Sequence, residues 1–201
     1  MSMNDTAPTE VPIFALNTVL FPDGTLPLKV FEQRYIEMTK ACLRDNAPFG
    51  VCLIREGPEV GTAALPARMG CLATIVQWDM PQLGVFHIVA RGGQRFRLRE
   101  TRVAPNQLIS ATVDLVPADS AGGEIDALCG EILKTIIEKV GAERFPGPIR
   151  LDDAAWVSYR LAEVLPIDAS EKQELLELQD TPARFQRLRH FLARVGLAGK
   201  A

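Results

Sequence analysis

Residues 108–140 read LISATVDLVPADSAGGEIDALCGEILKTIIEKV, and the period of their apolar residues changes midway. Before Pro117, Ile109, Ala111, Val113 and Leu115 alternate with Ser110, Thr112 and Asp114, the pattern of a strand with one buried face. After Gly123, Ile125, Leu128, Ile132, Leu133, Ile136 and Val140 recur every three or four positions, which is the stripe of an amphipathic helix, and Gly141 stands where such a helix stops. Pro117–Gly123 carries neither period. It divides a β-rich part, expected over residues 11–118, from an all-helical part, expected over residues 119–201, with a flexible tail over residues 1–10. The fold class is therefore α+β.

Upstream of that stretch, the spacing predicts a strand over Val11–Leu16 and a reversal at Pro22-Asp23-Gly24, where proline presets φ and glycine permits a positive one. Phe31, Tyr35, Met38 and Cys42 place a single helix over Phe31–Asn46, and Phe49–Ile54 reads as a buried strand. Glu56–Arg68, rich in Gly, Pro and Ala, reads as a long loop. Three strands are expected next: Cys71–Trp78, Val85–Ala90 and Arg95–Arg102, the last two divided by Gly92-Gly93. Downstream, Phe145-Pro146-Gly147-Pro148 is a loop, and a second helix is expected over Asp153–Leu165. Ser170-Glu171-Lys172-Gln173 fits a capping box, and Thr181-Pro182 fits a cap followed by proline at the first helical position.

With 47% apolar and 23% charged residues, the 201-residue chain is built to bury a core. A net charge of −3 argues against a polyanion binder. Cys42, Cys52, Cys71 and Cys129 form no CxxC pair and sit mostly in apolar runs, so reduced buried thiols are expected, and no metal or cofactor. The amino terminus lacks the pattern of a secretory signal, and no run approaches the roughly 20 apolar residues of a membrane helix. A cytoplasmic location is expected.

Candidate catalytic groups are sparse. His87 and His190 have no cysteine or carboxylate at ligand spacing, and Asp152-Asp153 stand where a helix begins, where acids favour the dipole. Candidate binding residues are better placed. Trp78-Asp79-Met80-Pro81-Gln82-Leu83-Gly84 joins two apolar strands and should cross the surface, which presents Trp78, Met80 and Leu83 as adaptable apolar contacts for peptide. Phe21 and Tyr35 are further candidates for an aromatic peptide-binding surface, with a core role as the alternative. Arg91, Arg95, Arg97 and Arg99 make the same part locally basic, with Arg95, Arg97 and Arg99 expected on one solvated strand face, so RNA or acidic peptide is a second class of ligand. No aromatic alternates with these arginines on that face, which weighs against base stacking.

Pro12-Ile13-Phe14-Ala15-Leu16, Val19-Leu20-Phe21-Pro22 and Leu26-Pro27-Leu28-Lys29-Val30-Phe31-Glu32-Gln33-Arg34-Tyr35 resemble the amino-terminal domain of the Lon protease family. Phe49-Gly50-Val51, Gly92-Gly93-Gln94-Arg95-Phe96, and Leu175-Leu176-Glu177 with Arg184 and Leu188 follow in the same order, so the resemblance spans nearly the whole chain. It implies a PUA-like β pseudo-barrel with one inserted helix, followed by a C-terminal helical bundle. It also implies a non-enzymatic module that selects unfolded or extended polypeptide, with a protease or chaperone as a further partner. Glu32 and Arg34 look like motif residues, with architecture as their expected role. No Gly-x-x-x-x-Gly-Lys-[Ser/Thr] occurs, the only Gly-Lys being Gly199-Lys200, and nothing resembles the family's serine–lysine peptidase context. The chain is thus expected to lack motor and peptidase. Beside this reading stand an RNA-binding module using residues 91–102 and a structural, self-associating protein.

Overall fold

The computed structural model describes residues 9–119, 123–145 and 147–197. Residues 1–8 of the expected tail, residues 120–122 of the expected boundary and Pro146 of the expected loop lie outside the described residues. In chain order the elements are β1 (Thr9–Leu16), β2 (Thr25–Val30), α1 (Gln33–Asp45), β3 (Phe49–Glu56), β4 (Leu65–Gln82), β5 (Val85–Val103) and β6 (Ile109–Leu115). The helices α2 (Ala127–Val140), α3 (Ala154–Val164), α4 (Ala169–Glu177) and α5 (Thr181–Arg194) follow. The mixed α+β class and the segregation of strands before helices are as expected.

β5 is long enough to serve two neighbours on one side. Its first half pairs with β2 through Phe86–Arg91 and its second half with β6 through Phe96–Val103. Since β6 pairs with β1, β1 runs parallel to β3, β3 pairs with β4 and β4 with β5, five strands close into a ring. Closure removes sheet edges from that ring and leaves β2 as an attached edge strand.

Two long strands replace the three expected between residues 71 and 102. Gly92-Gly93 does not divide β5; it serves the Pro22-Asp23-Gly24 reversal instead. The Asp23 amide donates to the Gly92 carbonyl at 2.9 Å and the Gly92 amide to the Gly24 carbonyl at 2.8 Å. A Cβ at position 92 would stand 2.1 Å from the Phe21 carbonyl oxygen, so only glycine lets the turn dock there. The adjacent register, Cys71 opposite Arg95 but Ala73 opposite Gly92, inserts an extra residue into β5. That bulge turns the strand.

α1 starts at Gln33 rather than Phe31, and its buried side is formed by Arg34, Tyr35, Ile36, Met38, Thr39 and Cys42. Phe31 precedes the helix and is 53% exposed, outside the expected stripe. β4 begins at Leu65, so the preceding loop is shorter than expected. Asp126 and Asp153 cap α2 and α3 by accepting from the amides of Cys129 and Trp156, each at 3.0 Å. At α4 the cap is Asp168, whose carboxylate accepts from the Glu171 amide, while the Ser170 hydroxyl also donates to it. Ser170 is therefore not the capping residue. Gln173 reaches away to the Met69 carbonyl of β4 and to Glu177.

Two cores result. One lies between the ring and α1 and includes Phe14, Tyr35, Phe49, Phe86 and Ile88. The other lies among α2–α5, and Val19 and Phe21 from the loop after β1 enter it. A smaller cluster around Ile13, Cys52 and Phe96 completes the ring interior.

Candidate polypeptide-binding surface

β4 and β5 form a hairpin whose two-residue turn, Leu83-Gly84, places Gly84 at φ +79°, where a glycine is favoured. Every residue from Val76 to Gly84 is exposed, on both faces of the strand, so this end of the hairpin projects from the ring. In register, Trp78 faces Ile88 and Asp79 faces His87. Opposed residues share a sheet face, so Trp78 continues the face that carries buried Ile88. Its ring lies 6.0 Å from that of Phe86. Trp78 nonetheless remains 57% exposed, Met80 41% and Leu83 90%. The three side chains expected at the surface are there, although most of the expected loop is strand.

Two clefts flank β2. One, of about 500 Å³, is lined by Pro27–Lys29, Gln77–Asp79 and His87–Val89. The other, of about 270 Å³, is lined by Pro27–Val30 of β2 together with Phe14, Leu16, Phe31, Tyr35 and Val60. Phe31 and Val60 are both more than half exposed.

Phe21 does not reach this surface, and Tyr35 lines its smaller cleft only from within the core. Phe21 is fully buried, 5.8 Å from the Tyr159 ring, and Tyr35 is buried with its ring stacked 3.8 Å from Phe14. Burial also pushes the Tyr35 phenol above its ordinary pKa. Both are core residues, because the loop after β1 and the first turn of α1 close the ends of the two cores.

The four arginines share no solvated face. Arg91 pairs with Asp23, Arg99 with Asp114, and Arg95 is buried. The Arg95 guanidinium donates to the carbonyls of Leu176 and Leu178 at 2.9 and 2.7 Å and pairs with Asp119. Of the four, Arg97 alone lacks an ion pair among the described residues. Arg95 and Arg97 keep the register of one strand face, opposite Cys71 and Met69, but α4 and the residues just after it cover that face at Arg95 and leave Arg97 exposed.

Asp119 is the residue that sequence reasoning missed. Its carboxylate joins Arg95 of β5 to Arg184 of α5, and Arg184 also donates to Ser158 and to the Leu178 carbonyl. The Tyr159 ring lies 3.9 Å below Arg184. A lone acid in a Pro/Ala/Gly linker gives no local signal of such a role. Arg160 adds a second tie from helix to ring by donating to the Pro22 carbonyl at 2.7 Å. Arg34 holds the loops, donating to the carbonyls of Gln107 and Glu59 and pairing with Glu32, which accepts from the Gly61 amide. Glu32 and Arg34 are thus architectural.

Reactive groups are muted. The four cysteines are buried, and burial pushes Cys71 and Cys129 up to about 12, which keeps them as thiols at neutral pH. Among the described residues no three His, Cys, Asp or Glu side chains converge as a metal site, and no helix is long and apolar enough to cross a membrane.

Residues 10–194 match the family described as the ATP-dependent protease La (LON) substrate-binding domain. The fold is similar to the crystal structure of a Lon N-terminal domain protein from Xanthomonas campestris. There the TM-score is 0.73 and the identity 36%, over 90% of this chain and 96% of that one. It is also similar to the N-terminal domain of the Mycobacterium avium complex Lon protease, with TM-score 0.68 and 20% identity over 92% and 98% of the two chains, a likeness of fold. Among curated relatives, Lon protease 2 of Syntrophobacter fumaroxidans is 27% identical over 89% of this chain and 23% of its own length. The chain spans about a quarter of the length of the curated relatives it matches.

Proposed function

We propose that this chain, which belongs to the ATP-dependent protease La (LON) substrate-binding domain family, binds unfolded or extended polypeptide on the projecting β4–β5 hairpin and performs no chemistry on it. The observation that carries this reading is the exposed series Trp78, Met80 and Leu83 on an element whose other residues build a rigid ring. Trp supplies large contact area with few rotatable bonds, and Met adapts to varied partners. A protease or chaperone is the natural recipient of what is bound.

The experiment is a titration with fluorescein-labelled α-lactalbumin that has been reduced and carboxymethylated, read by anisotropy at two salt concentrations. A modest apolar interface gives a Kd on the order of micromolar that changes little with salt. Affinity that collapses as salt rises marks electrostatic binding instead. Unaltered binding after Met80→Ser with Leu83→Ser removes the hairpin from the site.

A further inference from the structure

β4 runs on past the strand beside it. β3 pairs with β4 as far as Phe49, which stands opposite Ala73, and the residue before it, Pro48, has no amide hydrogen to continue the ladder. Beyond Ala73, β4 pairs with β5 alone. Successive residues of a strand direct their amides and carbonyls to alternate sides, so over Val76–Met80 the side towards β5 is paired and the other is not. All of these residues are exposed, and the lane that β3 fills further along β4 is open to solvent here.

Backbone geometry names the occupant of such a lane. Coplanar amides and carbonyls repeating every second residue, about 6.6 Å apart, are matched by another extended chain lying about 4.8 Å away, whatever its side chains. β3 already pairs with β4 in this manner, so a guest strand continues an existing ladder.

Unpaired edges are commonly guarded by proline, charge or bulges. β2 pairs on one side only, and Pro27 at its centre removes a donor. The end of β5, Leu98–Val103, pairs only with β6 and carries exposed Arg99, Glu100 and Arg102. On β4 the interruptions stand at the ends of the open stretch: an extra residue between Ile75 and Gln77, and a second register shift between Asp79 and Gln82, where Pro81 also lies. Between them, Gln77, Trp78 and Asp79 keep regular register with β5. Asp79 is the one charged residue of Val76–Met80, and its carboxylate accepts from the Met80 amide at 2.8 Å, which closes the lane at the hairpin tip.

We propose that the outer edge of β4 over Val76–Met80 takes a short extended segment of the bound polypeptide as an added strand, held by main-chain hydrogen bonds, with a β-branched or aromatic guest residue packed beside Trp78. This rests on the polypeptide-binding reading above and adds its mode: tolerance of sequence, but a requirement for free guest amides.

The test uses two fluorescein-labelled peptides titrated against the full chain by anisotropy: GSVTVTVSG, and the same sequence N-methylated at its five central residues. Methylation keeps every side chain and removes the donors of both peptide edges. The methylated peptide should bind at least about tenfold more weakly. Hydrogen exchange with the unmethylated peptide present should slow at amides within Val76–Asp79 and stay unchanged in β2 and in Leu98–Val103. Equal affinities, protection confined to another segment, or binding of unfolded α-lactalbumin without binding of GSVTVTVSG would each show that the β4 edge is not a pairing site, while polypeptide binding stands. If neither the peptides nor unfolded α-lactalbumin bind, the underlying reading fails as well.

Discussion

Trp78 stands directly opposite Ile88 in the β4–β5 register, yet Ile88 is 2% exposed and Trp78 57%. The two share a sheet face, so the difference comes from what covers that face: Ile88 lies over the core beneath α1, and Trp78 lies past its end. An apolar surface continuous with the core is thereby left facing solvent, and it is this surface that the proposed function assigns to polypeptide.

Trp78→Ser should accordingly separate binding from stability. Affinity for unfolded α-lactalbumin is expected to fall about tenfold, a loss of about 1.4 kcal/mol, while stability changes by no more than about 0.5 kcal/mol. Anisotropy and urea melts measure the two.

Asp119→Asn should do the reverse. The change leaves the buried guanidinium groups of Arg95 and Arg184 without their shared counter-charge. Removing one partner of a buried ion network costs about 3–5 kcal/mol. A loss of this size in urea unfolding, with the binding residues untouched, identifies Asp119 as the clasp between ring and helices. A loss below about 1 kcal/mol, the range of an exposed pair, would sink that assignment.

Gly92→Ala tests the docking of the Pro22-Asp23-Gly24 turn. The added methyl collides with the Phe21 carbonyl, which is backbone and cannot swing aside. A cost of about 1–3 kcal/mol is expected from the forced shift, whereas Gly93→Ala, whose Cβ would find its nearest neighbour at 3.6 Å, should be far milder. Equal effects would mean that flexibility, not close approach, selects glycine there.

Glu163 sets a pH dependence. Burial raises its pKa above the ordinary glutamate value, with Arg160 and Lys172 offsetting part of the rise. The native state therefore holds this proton more tightly than the unfolded chain. Its stabilising contribution is fully present below the ordinary glutamate value and is lost as pH rises through the raised one. Glu163→Gln keeps a neutral side chain at every pH, so the variant's stability should gain on that of the wild type as pH climbs through this window. A difference that stays flat with pH would contradict it.

Much of the fold was legible locally because periodicity reports burial. Alternation marked β6, and helical spacing marked α1 and α2 within two residues at their starts. The helix starts were less secure, because several acids and hydroxyls compete to cap one terminus. At α4 the carboxylate of Asp168 prevails over the Ser170 hydroxyl. Of the site, Trp78, Met80 and Leu83 were legible as surface residues, since a short connection between two apolar strands has nowhere else to go.

The sequence by itself determined the class, the division into a β-rich part and a helical part, the family resemblance and the absence of a phosphate-binding loop, all of which are written in residue types at short range. The tertiary structure alone decided that five strands close into a ring, that Gly92 receives a turn rather than making one, and that Arg95 faces inward to Asp119. It also decided that Phe31 is exposed and Tyr35 is not. These outcomes depend on groups such as Arg95 and Arg184, 89 positions apart, meeting at one carboxylate. Pattern along a chain carries the energy of burial, whereas the energy of a shared charge or a backbone clash exists only once distant segments touch.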